Sequence, residues 1–389
     1  MAYFAVIRFA TPGRLLQLGF VILAMSATKE LPDFFSRNGL DQHDLTQCLD
    51  FVKARYPEHL YNVRSVLHQG GCSYSVLLEP RGNVDTPSTR IVQYRLQKHA
   101  VPLNLAIKAS LICAPLAPRT RELGWLDIGH GQSVQGLEMS CIMGVRYNEL
   151  KPRRPTLDTL TLTRLHTSIR SISDFFAMQW RAGERYQTIL TGCTGFVGSS
   201  MLSRLESLAR LLLTDKLRHS ARRALAQIKE GALDVLPVVL THGDLIPSNI
   251  HVSAKSWRVE GYVDWAEAEQ LPFGLCLYGL EHLLGYTEKE GRTPRFAYYS
   301  QAEILRATFW NELEKEVPEV RSNDVRTAIG VARAAGLLLW HGFAFDDGKL
   351  DRVVNAVDDA EELELLEAHL GLRTSLSRHD SILDQHRSC

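Results

Sequence analysis

The chain has little of several features that mark particular classes of protein. Its 44 lysines and arginines are matched by 44 aspartates and glutamates, which gives a net charge of +0 at pH 7. Nucleic-acid binding depends on clustered excess positive charge, so we expect no nucleic-acid partner. The 389 residues are 45% hydrophobic and 23% charged, a composition typical of a globular protein of one large domain or two lobes.

Cysteine is sparse, and its spacing forms no recognisable site. The seven cysteines are scattered along the chain without a C-x-x-C pair, and their number is odd. Neither a zinc site nor a disulfide framework is indicated, and a reducing compartment is favoured. We therefore predict a cytoplasmic protein.

Long apolar runs are missing as well. The uncharged stretch Leu15 to Thr28 is shorter than the about 20 apolar residues that a membrane-spanning helix needs, so we expect no stable membrane insertion. Arg8 and Arg14 precede this stretch, and no acidic residue occurs before Glu30.

Three interpretations of this N-terminal segment stay open. A genuine targeting segment over residues 1–27 would be a signal peptide or a mitochondrial presequence, and would make the protein secretory or mitochondrial. The stretch that begins "MSATKELPDF" at Met25 also looks like a natural protein start, which would make residues 1–24 a gene-model extension. We favour the extension, and we predict that residues 1–40 form a leader outside the folded part.

The hydrophobic pattern divides the chain into a strand-rich first third and a mostly helical remainder, with a boundary near 145–150. In the first part the pattern predicts helices at 44–55 and 102–114, and strands within 61–80, 89–97 and 135–144. In the second part it predicts a helix over 156–180, a helix over 201–231 ending at Gly231, short strands around 238–264, and helix again to about 371.

The chemistry is concentrated in the loop "LTHGDLIPSNIHV", which holds His242, Asp244 and Asn249, and in Asp264 behind the next apolar run. A loop of this composition can be an Asx turn with a capped histidine and no further role. However, two carboxylates and an amide oxygen are the hard ligands that suit magnesium or calcium. The runs "PSNIHV" and "RVEGYV" predict a hairpin with Asn249 at one end and Asp264 at the other, which would place these side chains together.

These residues resemble a known family. The pattern H-x-D-x-x-x-x-N followed by a strand and an aspartate resembles the catalytic and metal loops of the protein-kinase-like fold. "HGDLIPSN" with "VDWAEAEQLPFG" is similar to the aminoglycoside phosphotransferase and choline-kinase-like family, and "AAGLLLWHGF" looks like its fungal, largely uncharacterised branch. The resemblance implies an α+β bilobal fold, with a small β-rich N-lobe over 41–145, a larger mostly helical C-lobe over 146–372 and a polar tail over 373–389.

The resemblance also implies roles for the loop residues. Asp244 would orient the acceptor hydroxyl and accept its proton, and His242 would support the loop structurally. Asn249 and Asp264 would hold Mg²⁺ against the phosphates of ATP.

Further residues would bind the nucleotide. Gly70, Gly71 and Ser73 in "HQGGCSYSV" would form the loop over the phosphates, although a glycine pair by itself also suits an ordinary hairpin turn. Backbone groups from Ser140 to Ile142 would face the adenine ring.

The phosphate clamp departs from the family pattern. Kinases carry a lysine on the third strand, paired with a glutamate on the following helix, whereas this chain has Arg95 in "IVQYRL" and no glutamate in "PLNLAIKASLICAPL". Arginine binds phosphate bidentately, so Arg95 can still contact ATP, with a different geometry.

Three functions follow from these observations. The first is an ATP- and Mg²⁺-dependent phosphotransferase acting on a hydroxyl of a small molecule. The second is a kinase-fold pseudoenzyme or binding protein with an altered phosphate clamp. The third is a protein kinase, against which stands the lack of an A-P-E segment or activation loop after Asp264. The sequence identifies neither the acceptor nor the oligomeric state.

Overall fold

The structure is a computed structural model that describes residues 31–66, 69–82, 88–288, 294–346 and 349–372. The first part of the chain forms a five-stranded antiparallel sheet of order β1-β2-β3-β5-β4, with helices packed on it. Its elements are α1 (Asp33–Arg37), α2 (Gln42–Arg55), β1 (Tyr61–Ser65), β2 (Ser73–Pro80), β3 (Arg90–Leu96), α3 (Leu103–Ile112), β4 (Thr120–Ile128) and β5 (Gln132–Ser140).

The predicted helices and strands of this N-lobe are confirmed. Helix α2 begins with a reciprocal cap, in which the Asp41 carboxylate accepts the His43 N–H at 2.7 Å and the Asp44 carboxylate accepts the Asp41 N–H at 2.8 Å. Strand β4 escaped prediction because its residues are mostly exposed or half-buried, and a bulge near Gly124 interrupts its alternation.

The predicted leader extends too far into the chain. Phe34 and Phe35, within the predicted 1–40 segment, are 0% exposed, and the Phe35 ring lies 5.0 Å from the Tyr74 ring. The hydrophobic core of the N-lobe therefore begins before residue 41. The remainder of the leader, residues 1–30, and the predicted tail over 373–389 lie outside the described residues.

The second part of the chain is mostly helical, with short two- and three-stranded sheets. Its elements are β6 (Val145–Arg146), α4 (Tyr147–Leu150), α5 (Thr159–Arg181), α6 (Gly195–Gly198), α7 (Met201–Leu211), α8 (Asp215–Lys229), β7 (Val238–Thr241), β8 (Ile250–Val252), β9 (Val259–Tyr262), β10 (Glu269–Pro272), α9 (Tyr278–Leu283), β11 (Gly285–Glu288), β12 (Arg295–Tyr298), α10 (Ala302–Glu316), α11 (Asn323–His341), β13 (Phe343–Asp346), β14 (Lys349–Val353) and α12 (Ala360–His369). The expected α+β fold, with a strand-rich N-lobe and a larger helical C-lobe, is confirmed.

Two predictions for the C-lobe are wrong. The single helix over 201–231 is two helices, because Thr214 accepts the Leu217 N–H on its hydroxyl and starts α8 as a new helix. The chain after 264 is also not continuously helical, since β10 pairs with β7, β11 with β12 and β13 with β14. These strands are four or five residues long, too short for a periodic signal.

Helix α5 supports the hairpin that carries the candidate site. Its Phe175 ring lies 4.1 Å from the Tyr262 ring at the end of β9, and both side chains are 0% exposed. Such close aromatic packing fixes the hairpin on a rigid base. No helix in the described part of the chain is long and apolar enough to cross a membrane.

Candidate active site

His242 holds the loop between β7 and β8 in place. Its ring is completely buried, with Nε2 donating to the Val263 carbonyl at 2.9 Å and Nδ1 accepting the Asp244 N–H at 3.2 Å. Burial lowers the pKa of His242 to about 4, so the ring is neutral at neutral pH, as this donor and acceptor pair requires. The two hydrogen bonds link the segment after β9 to the loop, and the supporting role of His242 stays a prediction.

Gly243 allows the loop to cross a second backbone segment. Its φ is +79°, and a Cβ there would lie 1.8 Å from the carbonyl oxygen of Glu267. The Tyr278 hydroxyl donates to the Gly243 carbonyl at 2.8 Å and accepts the Leu245 N–H at 3.3 Å. The backbone on both sides of Asp244 is thus held by one buried tyrosine.

Asp244 is half-buried and oriented by its neighbour in the motif. The Asn249 side-chain Nδ2 donates to Asp244 Oδ2 at 2.7 Å and to the Asp244 carbonyl at 3.0 Å. Burial, together with the nearby charge of Asp264, raises the pKa of Asp244 to about 7. A carboxyl group poised near neutral pH is suited to accepting a proton.

The predicted hairpin is confirmed and brings Asn249 and Asp264 to the same edge. Ile250 pairs with Tyr262, and the Val263 N–H donates to the Asn249 carbonyl at 2.9 Å. Asp264 follows immediately with φ +63°, a left-handed conformation that costs a residue with a side chain about 1–3 kcal/mol. Such strain is common where a side chain must point into a functional site.

Arg95 reaches the same point from the N-lobe. Its Nη2 lies 2.8 Å from Asp264 Oδ1, and the arginine is only 3% exposed. Its Nε has no hydrogen-bond partner among the described residues. Ser73 pairs with Arg95 across β2 and β3, so the predicted phosphate loop ends beside this arginine.

The phosphate loop is partly described. Gly70 and Gly71 precede β2, and the buried Ser73 accepts a hydrogen bond from Gln93 at 3.2 Å. The Gln69 side chain closes the loop by bonding the backbone of Val66 and of β2. His68, also in the predicted loop, lies outside the described residues.

The predicted adenine segment lies at the end of β5. The Ser140 N–H donates to the Arg119 carbonyl at 2.9 Å and the Cys141 N–H to the Thr89 carbonyl at 3.3 Å, so both are used within the lobe. Contact of this segment with a nucleotide, including Ile142, stays a prediction.

The donor atoms fit a magnesium ion shared with phosphates. Asn249 uses Nδ2 toward Asp244, which leaves its Oδ1, and Asp264 uses Oδ1 toward Arg95, which leaves its Oδ2. Among the described residues, no group of three or more His, Cys, Asp or Glu is placed to hold a metal ion. Two hard oxygens alone suit Mg²⁺, which completes its coordination with water and phosphate.

Two further charged residues, Glu267 and Lys98, lie near Arg95, and sequence reasoning missed Glu267. Glu267 Oε2 is buried without a hydrogen-bond partner in the described structure, and burial raises the pKa of Glu267 to about 8. Both residues line a cavity of about 380 Å³ that also contacts Arg95 and Gly243. The only sequence signal for Glu267 was its position shortly after Asp264. Lys108 instead pairs with Glu184 at 3.4 Å.

Several solved structures resemble the chain. An aminoglycoside phosphotransferase from Streptomyces rimosus is 15% identical over 75% of this chain and 98% of its own, with a TM-score of 0.41. A macrolide 2'-phosphotransferase type I is 14% identical over 86% of this chain and 99% of its own, with a TM-score of 0.46. Choline kinase LicA from Streptococcus pneumoniae is 13% identical over 83% of this chain and 99% of its own, with a TM-score of 0.42.

Sequence comparison bears directly on the loop. No curated protein matches the chain. Residues 194–273, however, match the model of the phosphotransferase enzyme family, and this segment contains the loop from His242 to Asn249 and Asp264. The resemblance to the aminoglycoside phosphotransferase family is therefore confirmed for the segment that carries the candidate active site.

Proposed function

We propose that the protein transfers the terminal phosphoryl group of ATP to a hydroxyl group of a small molecule, with Mg²⁺ as cofactor. One observation carries the proposal. The half-buried carboxyl group of Asp244 is bonded by Asn249, and Asp264 is paired with Arg95, which lines a cavity together with Gly243, the residue before Asp244. The family match covers the first three of these residues.

Asp244 would act as the base. Because Asn249 already donates to Oδ2, the other oxygen of Asp244 is the one that can accept a hydrogen bond from the acceptor hydroxyl. The hydroxyl oxygen bonds to the terminal phosphorus as the bond between that phosphorus and ADP breaks, and Asp244 takes the released proton. The fixed loop keeps the carboxyl oriented throughout.

Asn249 and Asp264 would hold the metal ion, whose charge offsets that of the phosphates when it is bound. Arg95 and Lys98, on the N-lobe side of the same cavity, would add positive charge there. Arg95 would have to turn part of its contact from Asp264 to the phosphates.

The experiment is a measurement of ADP release by the full chain with ATP and a panel of alcohols, sugars and amines. We expect turnover with at least one acceptor, dependent on Mg²⁺ and lost on its removal with EDTA. Release of ADP that is indifferent to EDTA, or to the presence of any acceptor, would contradict the proposal.

A second function has an observation in its favour. Arg95 is paired with Asp264, and helix α3 offers no glutamate for it. A pair of this kind would suit a binding protein that no longer transfers phosphoryl groups. Such a protein would bind a ligand in the cavity and release no ADP with any acceptor. A protein kinase is disfavoured, since the chain enters β10 soon after Asp264 without an activation segment.

A further inference from the structure

The cavity beside the catalytic loop extends from the nucleotide side into the C-lobe. Its volume is about 380 Å³, near the lower end of the range of about 300–1,000 Å³ found for ligand pockets. Gly243 lies in its wall, so a molecule bound there is next to Asp244. A compact acceptor fits this space, whereas a large multi-ring antibiotic is larger than the cavity.

The C-lobe side of the cavity is apolar and partly aromatic. Trp340 lines it and stacks on Tyr278, with ring centroids 4.7 Å apart and planes within 6°. Phe196 and Phe345, at 54% and 55% exposure, are part of the same wall. Large flat apolar surfaces of this kind bind apolar groups by removing them from water.

The carboxylates that line the cavity do not give it a negative surplus. Glu269 accepts the backbone N–H groups of Val197 and Gly198 at 3.0 Å, so its charge is already compensated. Arg95, in the same wall, is paired with Asp264, so Lys98 stands against Glu267 among the remaining charged residues of the lining. Recognition of a cationic amine by charge needs an excess of acid that this wall lacks.

One aromatic ring in the wall, that of Phe196, already has a cation beside it. The guanidinium of Arg204 lies 4.2 Å from the centroid of the Phe196 ring, so that ring already carries a cation–π contact. An ammonium group entering here would meet a positive charge. This contact and the charge balance disfavour an amine independently of each other.

We propose that the cavity selects a compact, uncharged alcohol with an apolar body over amino alcohols and polycations. The apolar body lies against Trp340, and the hydroxyl lies on the side of Gly243 and Glu267 in the same wall. This inference rests on the proposed function, because it names the acceptor class of that reaction. Burial, which raises the pKa of Glu267 to about 8, agrees with an uncharged partner for this side chain.

The test compares two ligands of the same shape. The first ligand is choline. The second is the dimethylbutanol isomer in which a tert-butyl group replaces the trimethylammonium group of choline, so the two ligands differ in charge and hardly in size. Their dissociation constants for the full chain are measured by calorimetry without nucleotide. We expect dimethylbutanol to bind at least about tenfold more tightly than choline. Equal or tighter binding of choline, or binding of neither compound, overturns the inference.

Variants show whether dimethylbutanol binds in this cavity. Trp340→Ala should weaken dimethylbutanol binding about tenfold and Trp340→Phe should restore part of it, whereas Trp125→Ala, at a 46% exposed tryptophan on β4, should change nothing. Glu267→Gln keeps the hydrogen-bonding capacity and the uncharged state that a pKa of about 8 gives Glu267 at neutral pH, so binding of dimethylbutanol should persist. Loss of that binding in Glu267→Gln would contradict the inference. If dimethylbutanol binds as expected but no acceptor yields ADP, the binding inference stands and the proposed reaction fails.

Discussion

The guanidinium of Arg95 lies 2.8 Å from the carboxylate of Asp264, and the two residues are 169 positions apart in the chain. This contact joins the N-lobe residue expected to bind phosphate to the C-lobe residue expected to bind metal. Because the Asp264 side chain is 37% exposed and the Arg95 side chain 3% exposed, the carboxylate is the partner that is open to a ligand. Binding of a nucleotide with Mg²⁺ would thus replace the contact between Arg95 and Asp264 by a contact of Arg95 with phosphate and a contact of Asp264 with the metal ion.

Replacing Arg95 should weaken ATP binding. A charge-assisted hydrogen bond contributes about 1.5–3 kcal/mol, so Arg95→Ala should lower the affinity for ATP with Mg²⁺ about tenfold or more. Arg95→Lys should recover part of this, since lysine keeps the charge without the forked geometry. Lys108→Ala is the matched control, because Lys108 pairs with Glu184 instead of lining the cavity. Calorimetry showing the same affinity for Arg95→Ala and the wild type would remove Arg95 from the phosphate site.

Replacement of Asp264 should weaken Mg²⁺-dependent ATP binding more than replacement of Asn249. Asp264→Ala removes a charged ligand and should abolish the rise in melting temperature that ATP with Mg²⁺ gives over ATP alone. Asn249→Ala removes a neutral ligand and should reduce this rise by less. It also removes the 2.7 Å hydrogen bond to Asp244, so it should lower kcat as well. A full Mg²⁺-dependent rise in Asp264→Ala is the result that this assignment does not allow.

Gly243 should tolerate no side chain. Gly243→Ala combines a φ of +79° with a Cβ only 1.8 Å from the Glu267 carbonyl oxygen, and should cost at least about 2 kcal/mol of unfolding free energy. The matched control is Gly330→Ala within α11, where a Cβ meets nothing within 4 Å and alanine should stabilise the helix by about 0.5–1 kcal/mol. Urea unfolding measures both. Comparable stability of the two variants would show that the loop has another conformation.

Two histidines of a buried cluster of three, His282 and His369, should make the protein sensitive to acid. His282, His341 and His369 have ring centroids 5.3–5.4 Å apart, and burial lowers the pKa of His282 and His369 well below 6.5. The unfolded chain binds protons below about pH 6.5 that the folded chain cannot, so stability is full above this pH and is lost as the pH falls. Each such histidine contributes at most about 1.4 kcal/mol per pH unit.

The variant His369→Phe isolates this effect. Phenylalanine suits the site because the Phe296 ring already lies 4.6 Å from that of His369. The loss of unfolding free energy between about pH 7.5 and about pH 5.5 should be smaller in the variant than in the wild type. Asp244 and Glu267, whose raised pKa values act in the opposite direction, are present in both proteins and cancel in the comparison. An identical pH dependence would show that His369 does not contribute.

Short-range features of this protein were predictable from its sequence. The spacing of His242, Asp244 and Asn249 and the hairpin to Asp264 depend on contacts between residues close in the chain, and the structure has them as expected. Phe34 and Phe35 were missed because a five-residue helix gives no periodic signal.

Long-range features were not predictable. The pairing of Arg95 with Asp264 and the closeness of Trp340 to the catalytic loop arise only when the two lobes and the last helices assemble. Glu267 has an ordinary sequence context, and its importance lies in its burial and in its unpartnered oxygen. Neither property can be obtained from spacing or composition.

The most direct test of the proposed reaction is the turnover of Asp244→Asn. The substitution keeps the size of the side chain and removes the carboxylate that would take the proton, so kcat should fall at least about 100-fold. Binding of ATP with Mg²⁺ and the melting temperature should remain close to those of the wild type. With an acceptor identified from the panel, single-turnover kinetics measure the chemical step. A chemical step in Asp244→Asn as fast as in the wild type would show that Asp244 is not the base and would contradict the account.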